Sequence, residues 1–361
     1  MTEDDVYLTL HAQLTYDFNQ IAMNKTLSVF VTGLLIGTLV AAGGFALFLR
    51  FQPGGGNNTA QTVLKLGHGL DTAHPNHKAI EHMKQRLEAL SGGAVTIDIY
   101  PSGVVGGEVQ SIEQLQNGSL AMTSQSAAAL ENFIPAMATF SLPYVFRDSD
   151  HFWQVLNGDV GKQLMGKGEK KLLRGLCYFD SGSRNFYTKS KPIRTPDDLV
   201  GMKIRVMNSS TAIDMIKTLG GSPAPIAFGE LYSALATGAV DGAENNPPSF
   251  YSNKHFEVCK HFSRDGHTRV PDMLLMSSKV WNQLSPDEQG WVQQAAQECS
   301  DYQRKLWQAD TDRSLKLAAA EGITIYDVDT ALFAEKVKPM LDAIENTEVR
   351  ELLQQISEVK E

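Results

Sequence analysis

Arg205 stands in the run Met202-Lys203-Ile204-Arg205-Val206, where apolar residues alternate with Lys203 and Arg205. A planar guanidinium on such a strand can grip a carboxylate through two parallel hydrogen bonds; a solvent-facing arginine fits the same spacing. Arg184, in Ser181-Gly182-Ser183-Arg184-Asn185, reads as a loop residue just after a strand and offers a second cation. Asp241-Gly242-Ala243-Glu244-Asn245-Asn246-Pro247-Pro248 packs acids, amides and prolines at a strand end, a rigid loop that aims side chains at a ligand or merely turns the chain. Four of the nine histidines, His68, His74, His77 and His82, fall in one short region. Their spacings do not make H-E-x-x-H, and no acid completes a ligand pattern. His68 and His74, at the end of the first strand where open α/β sheets place ligands, are expected to line a cleft or cap a loop. No G-x-S-x-G elbow, P-loop or G-x-G-x-x-G occurs, so no nucleophile and no cofactor is indicated. An enzyme acting on carbohydrate would need Glu108 and Glu244 paired in a cleft. The polar equipment suits holding an anion.

Alternating strand and helix patterns position these residues. Val63 to Leu66 is an apolar run. Ile80, Met83, Leu87 and Leu90 recur at helical spacing, and Gly92-Gly93 ends that helix. Val95, Ile97 and Ile99 alternate as a strand stopped by Pro101-Ser102-Gly103. A helix through Val109, Ile112 and Leu115 stops before Gly118, and Leu120 to Met122 follows as a short strand. Gly103 to Gly107 reads as the turn between strand and helix. This β-α-β-α-β order predicts a parallel sheet covered by helices. The alternation returns between about Ser181 and Val270. Thr195-Pro196-Asp197-Asp198 opens a short helix, Met202 to Val206 forms a strand, and Ser210 to Leu219 forms a helix closed by Gly220-Gly221. Glu230 to Thr237 is a further helix leading into Val240-Asp241-Gly242. Ser285-Pro286-Asp287-Glu288 starts a helical pattern running to about Ala320, long enough to brace two lobes. A strand from Ile323 to Tyr326 and helices through Glu361 complete the chain.

The chain has 361 residues, 42% hydrophobic and 20% charged, which is globular composition with room for two cores. A net charge of −9 offers little attraction to phosphate backbones, so nucleic acid is excluded as a partner. It also means that an anionic ligand must be held by local arginines against an unfavourable field. Cys177, Cys259 and Cys299 have neither C-x-x-C spacing nor an even count, and are expected to be buried thiols. Thr26 to Phe48 is almost uncharged and apolar, flanked by Lys25 and Arg50, and long enough to cross a bilayer. Ala41-Ala42-Gly43 is a poor cleavage site, which favours an uncleaved signal anchor over a cleaved signal peptide. Met23 resembles a natural start for that segment, and Pro53 to Thr59 is a flexible spacer.

Taken in order, these motifs resemble those of the TRAP transporter solute-binding proteins, the DctP-like family of periplasmic receptors for organic acids. The resemblance runs from about Val63 to the C-terminus. It is carried by Tyr100-Pro101-Ser102-Gly103 with Gly106 and Glu108, by Leu142-Pro143-Tyr144, Arg184 and Thr195 to Val206, and by Pro225 to Tyr232 and Leu235 to Asn245. It implies a two-lobed α/β fold of the periplasmic-binding-protein kind, with crossing strands, a hinge and a long bridging helix. On this reading residues 1–61 are the N-terminal extension, 62–181 with 271–310 form one lobe, and 182–270 with 311–361 form the other. The resemblance also implies Arg205 as the principal carboxylate clamp and Arg184 as a second cation. Asn245 and the Phe228 ring lie against the ligand, and Glu108, Ser124, Gln125, Ser126 and His68 lie on the opposite lobe. No metal or cofactor is implied; the partners are a small organic acid and integral-membrane TRAP subunits.

Sialic-acid members carry an acid near the position of Ser126, and Met-Asn where this chain has His68-Gly69, so sialic acid fits poorly. Arg184 to Lys189 together with Glu244 to Phe250 is most similar to members that bind glucuronate and galacturonate. A hexuronate offers one carboxylate to Arg205 and Arg184, and hydroxyls to Asn245, Glu108, Gln125 and His68. A four-carbon dicarboxylate, the alternative ligand, would need a second cation on the opposite lobe, where Glu108 would repel it. A membrane-tethered sensory module of the same fold is a further alternative, distinguished by a kinase rather than two transporter subunits encoded nearby.

Overall fold

The strand and helix patterns resolve into two mixed sheets in the computed structural model, which describes residues 61–360. The apolar segment 26–48 and the start-site reading lie outside the described residues. Among those described, no helix is long and apolar enough to cross a membrane.

The first sheet has the order β2-β1-β3-β10-β4. Its strands are β1 (Thr62–Gly67), β2 (Val95–Tyr100), β3 (Met122–Ser126), β4 (Leu173–Phe179) and β10 (Asp272–Ser277). The second has the order β11-β9-β5-β8-β6-β7. It comprises β5 (Arg184–Thr188), β6 (Lys203–Val206), β7 (Ser222–Pro225), β8 (Gly242–Asn245), β9 (His261–Thr268) and β11 (Thr324–Asp327). Each sheet contains the same parallel trio, a first strand flanked by the second and third of its unit: β2-β1-β3 and β7-β6-β8. The strand order therefore reverses direction beside β1 and again beside β6, the two places where an open α/β sheet leaves a crevice at its carboxyl edge. The parallel pairing expected of each β-α-β-α-β unit holds within these trios, and antiparallel strands extend both sheets. β10 runs antiparallel to β3 and β4, and β5 runs antiparallel to β8 and β9.

The antiparallel strands carry the chain between sheets. β4 passes into β5 through residues 180–183, and β9 passes into β10 through residues 269–271. Arg269 and Asp180 pair across these two segments at 3.0 Å, and Asp180 Oδ1 also accepts from the Gly182 amide at 2.8 Å. Gly182 has φ +57, and a Cβ there would meet Trp307 Nε1 at 2.9 Å, so the crossing is built for glycine.

Helices cover both sheets. α1 (Pro75–Leu90) buries Ile80, Met83 and Leu87 on the first sheet, α2 (Glu108–Asn117) buries Ile112 and Leu115, and α3 (Ser210–Thr218) buries Met215 and Ile216 on the second. α4 is Pro247–Ser252. α5 (Pro286–Ala320) starts with a capping box between Ser285 and Glu288. Its Val292, Ala295, Ala296 and Cys299 enter the first sheet's core, and Ala318 enters the second's, so one helix serves both cores. Of the last two helices, α6 (Thr330–Asp342) packs Phe333 and Val337 on the second sheet, whereas α7 (Thr347–Glu358) sends Leu352 and Ile356 into the first sheet's core rather than the expected second. Cys177, Cys259 and Cys299 are buried thiols.

Three local expectations change. β3 extends through the polar run Thr123 to Ser126, beyond the apolar residues that announce it. Arg184 opens a strand rather than sitting in a loop. Asp241 to Pro248 is not a loop but the strand β8 followed by α4, with Asn246 as the helix cap accepting from Ser249 N at 2.8 Å.

Candidate ligand-binding site

The carboxyl edges of the two parallel trios contribute to a single cavity. From the first come Gly69 and Leu70 after β1, Glu108 after β2, and Ser124, Gln125 and Ser126 at the end of β3. From the second come Arg205 and Met207 at the end of β6, Phe228 after β7, and Asn245, Asn246 and Ser249 at the end of β8 and the start of α4. The crossing strands add Ser181, Arg184 and Asp272.

Arg205 lies between Ile204 and Val206 on a four-residue strand and is 1% exposed. Its Nε donates to Ile226 O at 2.8 Å, which fixes the plane of the guanidinium. Nη1 and Nη2 are buried and have no partner among the described residues. Burial depresses its pKa, and the nearby Arg184 contributes, although Glu244 and Glu108 oppose this. The group remains a cation. Ser124 Oγ and Ser181 Oγ are likewise buried without partners. An unsatisfied buried donor costs about 1–3 kcal/mol, and a charged one more, so four such atoms among the residues lining the cavity mark a surface built to meet something. Phe228 sets its half-buried ring 5.8 Å from Arg205 Cζ.

Arg184 is held differently. Its Nε pairs with Glu244 Oε2, Nη2 reaches Glu244 Oε1 at 2.9 Å, and Nη1 donates to Asn245 Oδ1 at 3.0 Å. Burial works against its charge, but Glu244 more than restores it. Glu244 itself, which burial alone would push up, is drawn down to about 2 by Arg184 and His267. His267 is buried too, yet Asp265 Oδ2 at 2.6 Å and Glu244 raise it to about 9. The sequence Asp265–His267–Glu244–Arg184 is therefore a buried row of alternating charge that fixes Arg184 against the cavity. Asn245 Oδ1 accepts from both Arg184 and the Asn246 amide, which leaves its side-chain nitrogen as the free donor.

The first-sheet wall carries acids, serine hydroxyls and one amide. Gln125 Nε2 donates to Thr123 Oγ1 at 2.7 Å, which in turn donates to Gly67 O. Burial raises the Glu108 carboxyl, with Arg205 pulling the other way. Asp272 is pushed up to about 6 by burial, with Glu108 adding to the shift.

Eight of the ten residues singled out in the sequence, Arg205, Arg184, Asn245, Phe228, Glu108, Ser124, Gln125 and Ser126, line this cavity. Glu244 and His68 stand behind it. Successive strand residues face opposite sides, so with Asn245 on the cavity Glu244 turns inward and is spent on Arg184, and the paired carboxylates imagined for glycoside hydrolysis do not form from Glu108 and Glu244. His68 is fully buried. Its Nδ1 accepts from Leu70 N at 3.2 Å, so Nε2 carries the proton donated to His77 Nδ1 at 3.0 Å. Burial, with His77 adding to it, lowers His68 to about 3, so it supplies no cation. It caps the turn that bears Gly69 and Leu70, and His74 caps α1 by accepting from Asn76 N at 3.2 Å. Among the described residues no cluster of three or more His, Cys, Asp or Glu could hold a metal ion. Leu70, Met207, Asn246, Ser249 and Asp272 join the site without having been singled out. Asn246 and Ser249 sit in the amide-rich run already noted, while Asp272 had no signal beyond a lone acid before an apolar strand.

Over residues 66–348 the chain matches the DctP family model, bacterial extracellular solute-binding protein, family 7. A solute-binding protein of Chromohalobacter salexigens is 32% identical over 291 residues, covering 80% of this chain and 87% of that protein. A TRAP periplasmic solute-binding protein from Sulfitobacter sp. NAS-14.1, solved with β-D-galacturonate, aligns at a TM-score of 0.80 and 33% identity, over 82% of this chain and 100% of that one. Another from Roseobacter denitrificans, with bound β-D-glucuronate, aligns at 0.80 and 34% over the same shares.

Proposed function

The chain belongs to bacterial extracellular solute-binding protein family 7, the DctP family of TRAP receptors, and on that premise we propose that its cavity captures a hexuronate such as glucuronate or galacturonate for delivery to the membrane subunits of a TRAP transporter. The observation that carries this reading is the pair of guanidinium nitrogens of Arg205 at the cavity wall that have no partner among the described residues. They match the two oxygens of one carboxylate, and their desolvation makes each bond to an anion strong. Arg184 and the Asn245 amide flank that end. The remaining wall offers what ring hydroxyls need: the Ser124 and Ser181 hydroxyls, the Gln125 amide, and the carboxyl groups of Glu108 and Asp272. Phe228 presents an apolar face for a sugar ring. A dicarboxylate would bring its second negative charge toward Glu108 and Asp272. The galacturonate and glucuronate complexes of the similar receptors point the same way.

Receptors of this kind act in the periplasm. In our reading the two sheets with their helices are lobes that hinge at residues 180–183 and 269–271, and the segment 26–48 tethers the receptor to the membrane. The function is tested by thermal-shift measurements with purified protein. Ligand at a hundred times its dissociation constant stabilises the fold by about 2.7 kcal/mol, so glucuronate or galacturonate should raise the melting temperature more than succinate or malate at equal concentration. The reverse order would overturn the hexuronate assignment.

A further inference from the structure

Asp272 opens β10, where register pairs it with Ser126 of β3 and Phe179 of β4 and brings its half-buried carboxylate to the cavity. A carboxylate partly removed from water beside a second acid, Glu108, is costly unless donors reach it. No Lys, Arg or His pairs with it within 4.0 Å among the described residues. The fold instead places neutral groups against it, the Asn76 amide and the Ser181 hydroxyl. Asn76 Nδ2 donates to Asp272 Oδ2 at 2.8 Å. Asn76 is fully buried, and its Oδ1 accepts from Gln303 Nε2 at 2.7 Å. Gln303, on α5, closes a cyclic pair with the Asp180 backbone, donating to its carbonyl at 2.7 Å and accepting from its amide at 2.9 Å. Every polar atom of this row is committed, and the row ends on a carboxylate edge at the cavity wall. A side chain fixed from behind by three elements is prepared for directional contact in front.

We infer that Asp272 is a specificity-determining residue that accepts a hydrogen bond from a ring hydroxyl of a polyhydroxylated acid whose carboxylate rests on Arg205. The inference rests on the receptor reading above. Asp272 thereby favours hydroxylated ligands and disfavours a second carboxylate at the same end of the cavity.

The test is calorimetric titration of wild type, Asp272→Asn and Asp272→Glu with galacturonate, glucuronate and lactate, the last being a short 2-hydroxy acid that engages only the arginine end. The Asn variant keeps the shape and the bond from Asn76, because its amide oxygen can accept it, but the edge at the cavity changes from acceptor to donor. It should bind the hexuronates about 10- to 100-fold more weakly, the worth of one hydrogen bond to a charged group, and lactate within twofold of wild type. Asp272→Glu keeps the acid and should fall between. Hexuronate affinity within twofold of wild type in Asp272→Asn overturns the role given to Asp272. Equal weakening toward all three ligands in both variants marks a structural role and also overturns it. A wild-type protein that binds no hexuronate overturns instead the hexuronate assignment on which this rests.

Discussion

Replacing Arg205 separates binding from stability. Its Nη1 and Nη2 have no partners among the described residues, while Nε holds Ile226 O at 2.8 Å. Two hydrogen bonds from a charged donor are worth about 1.5–3 kcal/mol each, and losing one partner of a desolvated charge pair costs about 2–5 kcal/mol. At about 1.4 kcal/mol per factor of ten, Arg205→Lys should weaken hexuronate binding about 30- to 4,000-fold, since an ammonium cannot reproduce the fork. Arg205→Met should weaken it at least as much. Unliganded stability should respond in the opposite sense. Methionine leaves Ile226 O unpaired, at about 1–3 kcal/mol, but removes a buried charge whose desolvation Glu244 and Glu108 offset only in part in the empty protein. The unliganded Met variant should therefore unfold within about 1–2 kcal/mol of wild type, or above it. Calorimetric titration with galacturonate and urea unfolding without ligand read the two quantities. Affinity unchanged in Arg205→Lys, or loss of the folded state in Arg205→Met, would refute the reasoning.

Two further outcomes follow from the same geometry. Contacts such as His74 with Ser249 Oγ at 3.2 Å and Asn132 Nδ2 with Asn208 O at 2.7 Å join the halves on either side of the cavity, so ligand touching both should favour the closed arrangement and lower the radius of gyration in solution scattering; superimposable curves with and without saturating ligand would contradict this. His267, raised from 6.5 to about 9 by Asp265 and Glu244 against the effect of burial, binds its proton more tightly folded than unfolded. Its contribution is fully present below pH 6.5 and lost as pH rises through 9, so the urea midpoint of wild type should fall across that window more steeply than that of His267→Gln, and equal slopes would remove the charged row as a stabilising element.

How much of this was legible depended on whether a residue's role left a periodic trace. Arg205 was half visible, because its alternation with Ile204 and Val206 fits a solvent-facing arginine as well as a clamp and the family resemblance chose between them; the long helix was visible because Ser285 and Glu288 box its start. β3 was half visible: Thr123 to Ser126 are buried as a strand but polar because they border the cavity, so the apolar signal ended at Met122 where the site began. Glu244 was assigned to the ligand because its stretch was read as a loop. Read as a strand, the alternation of side chains would have put it behind Asn245. His68 carries no mark of its hydrogen bond to His77, which consumes the imidazole. Asp272 is the clearest loss. It lies far along the chain from β3 and reaches the cavity only because β10 inserts antiparallel between β3 and β4, a pairing set by tertiary packing rather than by any local pattern.

The most direct measurement is the diffraction structure of crystals grown with saturating galacturonate or glucuronate. The account predicts one hexuronate in the cavity, its carboxylate on Nη1 and Nη2 of Arg205 with Arg184 and Asn245 beside it, the ring over Phe228, and hydroxyls toward Glu108, Gln125 and Asp272. A ligand whose carboxylate lies away from Arg205, or a cavity that stays free of hexuronate at saturating concentration, would contradict it.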